Sequence, residues 1–305
     1  MDLYFLGTGG GVPSRERNVA SIALRMLAER GAIWLFDCGE ATQQQILQSP
    51  IKLSKVEKIF VTHLHGDHIF GLPGLLASRS FQEDEGGLTV YGPKGIRTYI
   101  QTALSISGTH LRYPLEVIEI PEAGGKIFED DHVMVQAEPL KHVLPSFGFR
   151  VSEHDRPGTL DADRLKAEGV SPGPLYRRLK DGETVQLEDG RILNGTDYVG
   201  PPKKGKAAAV LGDTLPCEAA RDLAGGADVL VHEATFMNED AEKAHRFMHS
   251  TTVDAAKTAL AAGAEALVVT HVSSRYKGAE ERFLEEAREV FANTYLAEDF
   301  WSFEI

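Results

Sequence analysis

Three histidines and an aspartate fall within six positions: His63, His65, Asp67 and His68, in the run Thr62-His-Leu-His-Gly-Asp-His. Imidazole and carboxylate are the ligands of zinc and of other first-row divalent metals. The preceding Lys58-Ile-Phe-Val-Thr62 reads as a buried strand. Residues two apart at a strand end point the same way, so His63 and His65 can share one cation. Gly66 permits a sharp turn that sends Asp67 and His68 toward a second position close by. A two-cation centre needs more ligands than this run provides, and side chains converge where strands end. Three residues stand at such ends: His142 after the strand expected over 132–140, Asp213 after Val210-Leu-Gly212, and His271 after Leu267-Val-Val-Thr270. Singly, each reads as a polar strand terminus or a helix cap. Together they complete a set of seven.

The rest of the chain must place those side chains. Residues 3–6 read as a strand ending in Gly7-Thr-Gly-Gly-Gly11. These glycines lack dinucleotide-fingerprint spacing, so the segment reads as a tight loop near the site. Residues 21–26 and 33–37 suggest a hairpin pair, 42–48 and 71–81 helices, and 88–91 a strand, with Pro93 expected to open a further helix. Strand signals follow at 115–120, 126–128, 132–140 and 147–151. From 207 the chain alternates strand (207–211, 229–232, 266–270) with helix (216–223, 251–262, 279–291). Two β-rich halves with helices outside predict an α/β protein built as a four-layer αββα sandwich. Residues 153–206 differ in texture: they hold five of the 14 prolines and the turn-like Ser171-Pro-Gly-Pro174 and Gly200-Pro-Pro-Lys-Lys-Gly205. They read as an inserted flexible arm within a domain spanning 1–305.

The chain has 305 residues, 42% of them hydrophobic, enough for a packed core. A formal charge of -13 argues against a general nucleic-acid binder. The arm, with ten basic and ten acidic residues, is neutral, so the whole excess lies outside it. Cys38 and Cys217 form no metal-like pair and exclude a disulfide framework. The start resembles no signal peptide, and no apolar run is long enough to cross a membrane, so a soluble cytoplasmic protein is expected.

The His-x-His-x-Asp-His run, a later His, a Gly-Asp after a strand and a final Thr-His resemble the metallo-β-lactamase superfamily. Gly7-Thr-Gly-Gly10, Phe36-Asp-Cys-Gly-Glu-Ala-Thr42, Gly71-Leu-Pro-Gly-Leu75, Ser78-Arg-Ser80, Val231-His-Glu-Ala-Thr-Phe236 and His249-Ser-Thr251 narrow the resemblance to the ribonuclease Z family of tRNA 3′-processing endonucleases. The resemblance implies two zinc ions, with manganese or iron also suited to such ligands. His63, His65, His142 and Asp213 would hold one, and Asp67, His68, Asp213 and His271 the other, with Asp213 and a water or hydroxide bridging. It makes Asp67 the base, sets His249 against the scissile phosphate with Glu233 holding it, and implies precursor tRNA as substrate. Cleavage would leave a tRNA 3′-hydroxyl and a trailer 5′-phosphate. It also implies a homodimer in which each arm serves the partner's site.

Read from chemistry, a carboxylate-oriented imidazolium can protonate a leaving oxygen. Ser250 and Thr251 also read as the cap of the helix over 251–262, and both roles can hold at once. Asp37 ends its strand and is expected to orient a ligand histidine. In the arm, Pro174-Leu-Tyr-Arg-Arg-Leu-Lys180 sets Tyr176 beside Arg177, Arg178 and Lys180 without an acid, and Lys203, Lys204 and Lys206 cluster at its exit. That mixture suits phosphates and stacked bases, although such runs are more often solvated loop charge. The resemblance makes the arm an exosite for the tRNA elbow, and makes Pro13-Ser-Arg-Glu-Arg-Asn18, with Arg15 and Arg17, a loop that senses the CCA end. Arg15 replaces the family's usual Lys, and Val143 follows His142 where Gly is common. The alternative enzyme is a two-metal phosphodiesterase acting on small molecules. A non-catalytic RNA-binding module or a closed structural zinc site leaves the full ligand set unexplained.

Overall fold

The computed structural model describes residues 1–28, 30–82 and 86–305. The chain divides into two compact units, one of residues 1–130, 134–151 and 207–305, the other of 131–133 and 152–206.

The larger unit is built on two seven-stranded sheets. The first runs Ser302–Glu304, Asp2–Gly7, Ser21–Met26, Ala32–Phe36, Val56–Phe60, Leu88–Gly92, Leu115–Glu119. The expected hairpin is present, with Ile22 opposite Phe36 and Leu24 opposite Trp34. From Ala32–Phe36 onward the strands pair in parallel, which requires crossovers. Helices Thr42–Leu47, Leu72–Arg79 and Ile96–Ile106 lie along those crossovers. The alternation of strand Ala32–Phe36 sorts its side chains: Ile33 and Leu35 pack with Ile46, Leu72, Leu75, Leu76, Ile96 and Ile100. Trp34 and Phe36 face the other way.

The second sheet runs Thr294–Leu296, Leu267–Thr270, Val229–Glu233, Ala207–Leu211, Ser146–Glu153, Val133–Leu140, Gly125–Glu129. Its outer face is covered by helices Glu218–Leu223, Thr252–Ala262 and Glu280–Arg288 through Ala220, Leu223, Ala255, Ala256, Ala259, Phe283 and Ala287. The inner faces meet through aromatic rings. Phe149 lies 6.0 Å from Phe36 and 5.4 Å from Phe60, and Trp34 meets Phe128 edge-on at 5.7 Å. Fully burying each such ring contributes roughly 1.5–3 kcal/mol. The four-layer sandwich is therefore present.

The structure adjusts two sequence expectations. Pro93 does not open its helix: the helix starts at Ile96, after Gly95 in a positive-φ conformation, and Pro93 lies in the preceding turn, its carbonyl accepting from Ile96 N–H. The strands Thr294–Leu296 and Ser302–Glu304 were not anticipated, because three residues carry too little periodicity.

Within the smaller unit, residues 152–206 are more than turns. Helices Ala162–Ala167 and Pro174–Lys180 and the hairpin Thr184–Gln186/Ile192–Asn194 enclose an apolar cluster of Leu165, Val170, Leu179, Val185, Leu193 and Tyr198. The prolines and glycines punctuate a small fold of its own. No helix among the described residues is long and apolar enough to cross a membrane.

Candidate metal centre

The seven expected ligands arrive as strands end. After Val56–Phe60 the chain runs through His63 and His65, and a short helix over Gly66–Ile69 swings Asp67 and His68 round. His142 follows Val133–Leu140, Asp213 follows Ala207–Leu211, and His271 follows Leu267–Thr270 with φ 59. A non-glycine residue held there costs about 1–2 kcal/mol, so the surrounding structure must impose that conformation.

The side chains converge in two groups. His63, His65, His142 and Asp213 offer donor atoms within 4.8 Å of one another, and so do Asp67, His68 and His271. His63 Nε2 is 3.0 Å from His65 Nδ1, which is 3.3 Å from His142 Nε2. His271 Nε2 is 3.3 Å from His68 Nε2 and from Asp67 Oδ2. Asp213 reaches both groups, Oδ2 lying 3.6 Å from His63 Nε2 and 3.7 Å from His68 Nε2, and Oδ1 3.5 Å from His271 Nε2. A tetrahedral ion bonded at about 2.0–2.1 Å has donors about 3.3 Å apart.

The far nitrogens decide which way the lone pairs point. His63 Nδ1–H donates to Thr62 Oγ1 (3.0 Å), whose own proton goes to Asp37 Oδ2 (2.8 Å). His68 Nδ1–H donates directly to Asp37 Oδ2 at 2.7 Å. His142 Nδ1–H donates to the Met248 carbonyl at 2.8 Å. His271 Nδ1–H donates to Thr235 Oγ1 (2.8 Å), which in turn donates to Glu233 Oε2 (2.7 Å). Each partner fixes the orientation of its ring and sets Nε2 toward the cluster. Burial and the neighbouring His68 keep the His63 pKa well below the imidazole range. Burial opposes charge on Asp67 and Asp213, but contacts with His271 and His68 outweigh it and hold both carboxyls well below their usual range. Burial opposes charge on His68, but Asp37 and Asp213 outweigh it and raise its pKa well above the imidazole range, so this ring must give up a proton when a divalent cation binds. With that proton gone the donor set fits a pair of cations.

Comparison with known proteins decides the family. A ribonuclease Z of Geobacillus kaustophilus is 59% identical over 306 residues, covering 100% of this chain and 99% of the relative. The chain belongs to the ribonuclease Z family. That is a family of hydrolytic endoribonucleases, and the enzyme class expected from the motifs stands. The short form of human tRNase Z matches with a TM-score of 0.73 at 31% identity, covering 100% of this chain and 99% of that one. A metallo-β-lactamase fold protein from Bacillus subtilis matches with a TM-score of 0.70 at 15% identity over 99% of each chain, a likeness of fold alone. A family model described as anti-Pycsar protein Apyc1 matches residues 1–148.

In this ribonuclease Z family member the His-Ser-Thr and His-Glu-Ala-Thr segments meet. His249 Nδ1 lies 2.9 Å from Glu233 Oε1, which leaves Nε2 free. Burial opposes charge on this ring, yet Glu233 and Asp213 push its pKa up to about 9. Glu233 is a buried hub that also accepts from Thr214 N–H, Ser250 N–H and Thr235. Thr251 caps the helix Thr252–Ala262 reciprocally with Asp254, so the capping role and the His249–Glu233 pairing coexist. His249 is also near enough to Asp213 and His271 to join a donor group.

The Gly-rich loop lies against the cluster, as the sequence suggested. Gly11 N–H donates to Asp67 Oδ2 at 2.8 Å. A Cβ on Gly10 would stand 2.6 Å from His271 Nδ1. Gly10→Ala is therefore expected to displace the His271 ring and weaken one of two metal-binding steps about 10- to 100-fold. Titration of chelator-stripped protein with zinc against a chromophoric competitor measures this; two unchanged steps would show that the ring tolerates the methyl group.

The loop basics separate. Arg15 is exposed. Arg17, expected at the substrate, is turned inward: its Nη1 donates to Thr8 Oγ1 (2.7 Å) and to the Ala297 carbonyl (2.5 Å). Beside it Asp299, which the sequence reading missed, accepts from Thr8 Oγ1, Asn18 N–H and Gln45 Nε2. Arg17 and Asp299 thus fasten the loop to the C-terminal segment. The partners lie about 280 positions away, where no local pattern can reveal them.

In the smaller unit the four expected contacts also divide. Tyr176 donates its hydroxyl to the Val170 carbonyl (2.8 Å), and Arg178 pairs with Glu183 (2.8 Å). Arg177 and Lys180 are exposed. Lys180 and the exit cluster Lys203, Lys204 and Lys206 line one cleft with Arg156, so the two basic runs meet.

Proposed function

We propose that this protein is a zinc-dependent endoribonuclease that removes the 3′ trailer from precursor tRNA. The observation carrying this reading is the outward lock on four histidines. Thr62, Asp37, Met248 and Thr235 hold the Nδ1 positions and aim four Nε2 atoms into a cluster shared by two carboxylates. Full-length likeness to ribonuclease Z proteins, residues 153–206 included, supports RNA as substrate.

His63, His65, His142 and Asp213 would hold one divalent cation and Asp67, His68, Asp213 and His271 another, which would supply Lewis acidity toward phosphate oxygens and water near neutral pH. Asp67, its Oδ2 steadied by Gly11, orients the attacking water and takes its proton. Water oxygen bonds to phosphorus as the bond to the 3′-oxygen breaks. His249, held through Nδ1 by Glu233, gives that oxygen its proton from Nε2. The products are a tRNA 3′-hydroxyl and a trailer 5′-phosphate. Mapping both ends after incubating metal-loaded protein with a precursor tRNA tests the reading, and failure of every precursor tried would end it.

The basic face of the smaller unit supports a docking role for tRNA. Arg177→Glu combined with Lys180→Glu is expected to raise KM for precursor tRNA about tenfold, leave kcat unchanged and reduce the salt dependence of binding by about one unit per lost phosphate contact. An unchanged KM and salt slope would remove these residues from the interface. A cytoplasmic homodimer, each arm serving the partner's site, completes the reading, and light scattering of the purified protein tests the dimer.

A second reading, turnover of small phosphodiesters, is chemically open to the same donor groups.

A further inference from the structure

Four large apolar side chains stand exposed on the segments that carry the cluster. Rings follow one another from His65 to His142, His249 and His271, with centroids 5.1, 5.1 and 5.7 Å apart. Beside His65, Phe70 lays its ring over Gly66, where an added Cβ would meet it at 2.2 Å, and Phe70 is 63% exposed. Val143, next to His142, is 62% exposed. Phe247, 50% exposed, precedes Met248, whose carbonyl holds His142 and whose φ of 59 is strained. Val12, 61% exposed, follows Gly11, which holds Asp67. Single exposed apolar residues need no explanation. Here three adjoin a residue that touches or belongs to the donor set, and Phe70 covers the glycine between two donors, which is a different matter.

We propose that Phe70 and Phe247, with Val12 and Val143, form a collar that receives the unpaired nucleobases flanking the scissile phosphate. The inference rests on the RNA reading above and deepens it. A strand crossing the cluster with one phosphate over the donors must set its bases down on the rim. Aromatic faces there bind any base by stacking, without reading sequence. The collar thus selects a single-stranded junction, since paired bases have no free face to offer.

The test crosses enzyme variants with substrates lacking one base. Metal-loaded full-length protein cleaves a precursor tRNA, and the same RNA with an abasic residue on either side of the scissile bond. Wild type is expected to lose about five- to 150-fold in kcat/KM when the stacked base is missing. Phe70→Ala or Phe247→Ala should lose a similar factor on the intact RNA and little more on one of the abasic substrates. Phe70→Trp should restore cleavage of the intact RNA, and Phe70→Leu should not. Equal wild-type rates on intact and abasic RNA would overturn the collar while leaving the nuclease reading in place. So would additive losses in the variants, or a Phe70→Ala defect that follows a change of oligomeric state and ignores the base. Absence of cleavage by wild type on the intact precursor would instead strike the nuclease reading itself.

Discussion

An Asp213→Ala variant is expected to lose bound metal from both positions together and at least about a thousandfold in activity. That factor corresponds to about 4 kcal/mol of transition-state stabilisation, in keeping with the several kcal/mol that a metal supplies to phosphoryl charge. Asp213 is the residue common to both donor groups. Its Oδ2 faces His63 and His68, and its Oδ1 faces His271. It is 3% exposed, so water cannot easily substitute for it. Asp67→Ala removes a donor from one group only and should leave the other able to bind. Metal analysis by mass spectrometry after gel filtration separates these outcomes. The chelator response of the melting temperature gives a second measure: a ligand at about a thousand times its Kd stabilises by about 4 kcal/mol. Wild type should therefore fall markedly in chelator, and Asp213→Ala hardly at all. Two tightly held ions in Asp213→Ala would show that the groups are independent.

Removing the imidazole of His249 should slow cleavage of RNA by about 10²- to 10⁴-fold, the range for a positioned general acid, with metal content intact. The expectation follows from Nδ1 being bound at 2.9 Å to a buried carboxylate while Nε2 is left free. A ribose 3′-oxygen is a poor leaving group and needs a proton; a nitrophenolate does not. The loss for His249→Ala should accordingly be much smaller on a nitrophenyl phosphodiester than on RNA. Glu233→Gln should show the same leaving-group dependence in weaker form, because the amide keeps an oxygen for its neighbours but lacks the charge that favours the imidazolium. Equal losses on both substrates would make His249 a binding residue, and loss of an ion with the histidine would make it a ligand.

The contrast between Arg17 and Asp67 shows what a residue's type can and cannot reveal. Asp67 sits in a six-residue run whose residue types admit little chemistry other than metal binding. Arg17 sits in a loop whose basic residues suggest substrate contact, yet it is claimed by Thr8 and Ala297. A residue's type shows what it can bind; only the chain around it shows whether that capacity is already used. The arm teaches the same lesson. Its prolines and glycines read as linker, whereas Leu165, Val170, Leu179 and Leu193 close over one another across turns that no single period describes.

The sequence alone picked out the residues that the fold gathers into two candidate donor groups, and the sandwich that gathers them. Both are written in short-range signals: residues two apart at a strand end, apolar runs alternating with amphipathic ones, a glycine where the chain must turn. Apart from Asp37, whose role toward a ligand histidine was legible, tertiary structure decided which partner aims each histidine. His142 is held by a carbonyl 106 positions away and His68 by a carboxylate 31 away, and the first of these partners has no side-chain signature. Orientation depends on which backbone and side-chain groups the packed sheets bring within hydrogen-bond reach, and that proximity exists only once the two halves have closed.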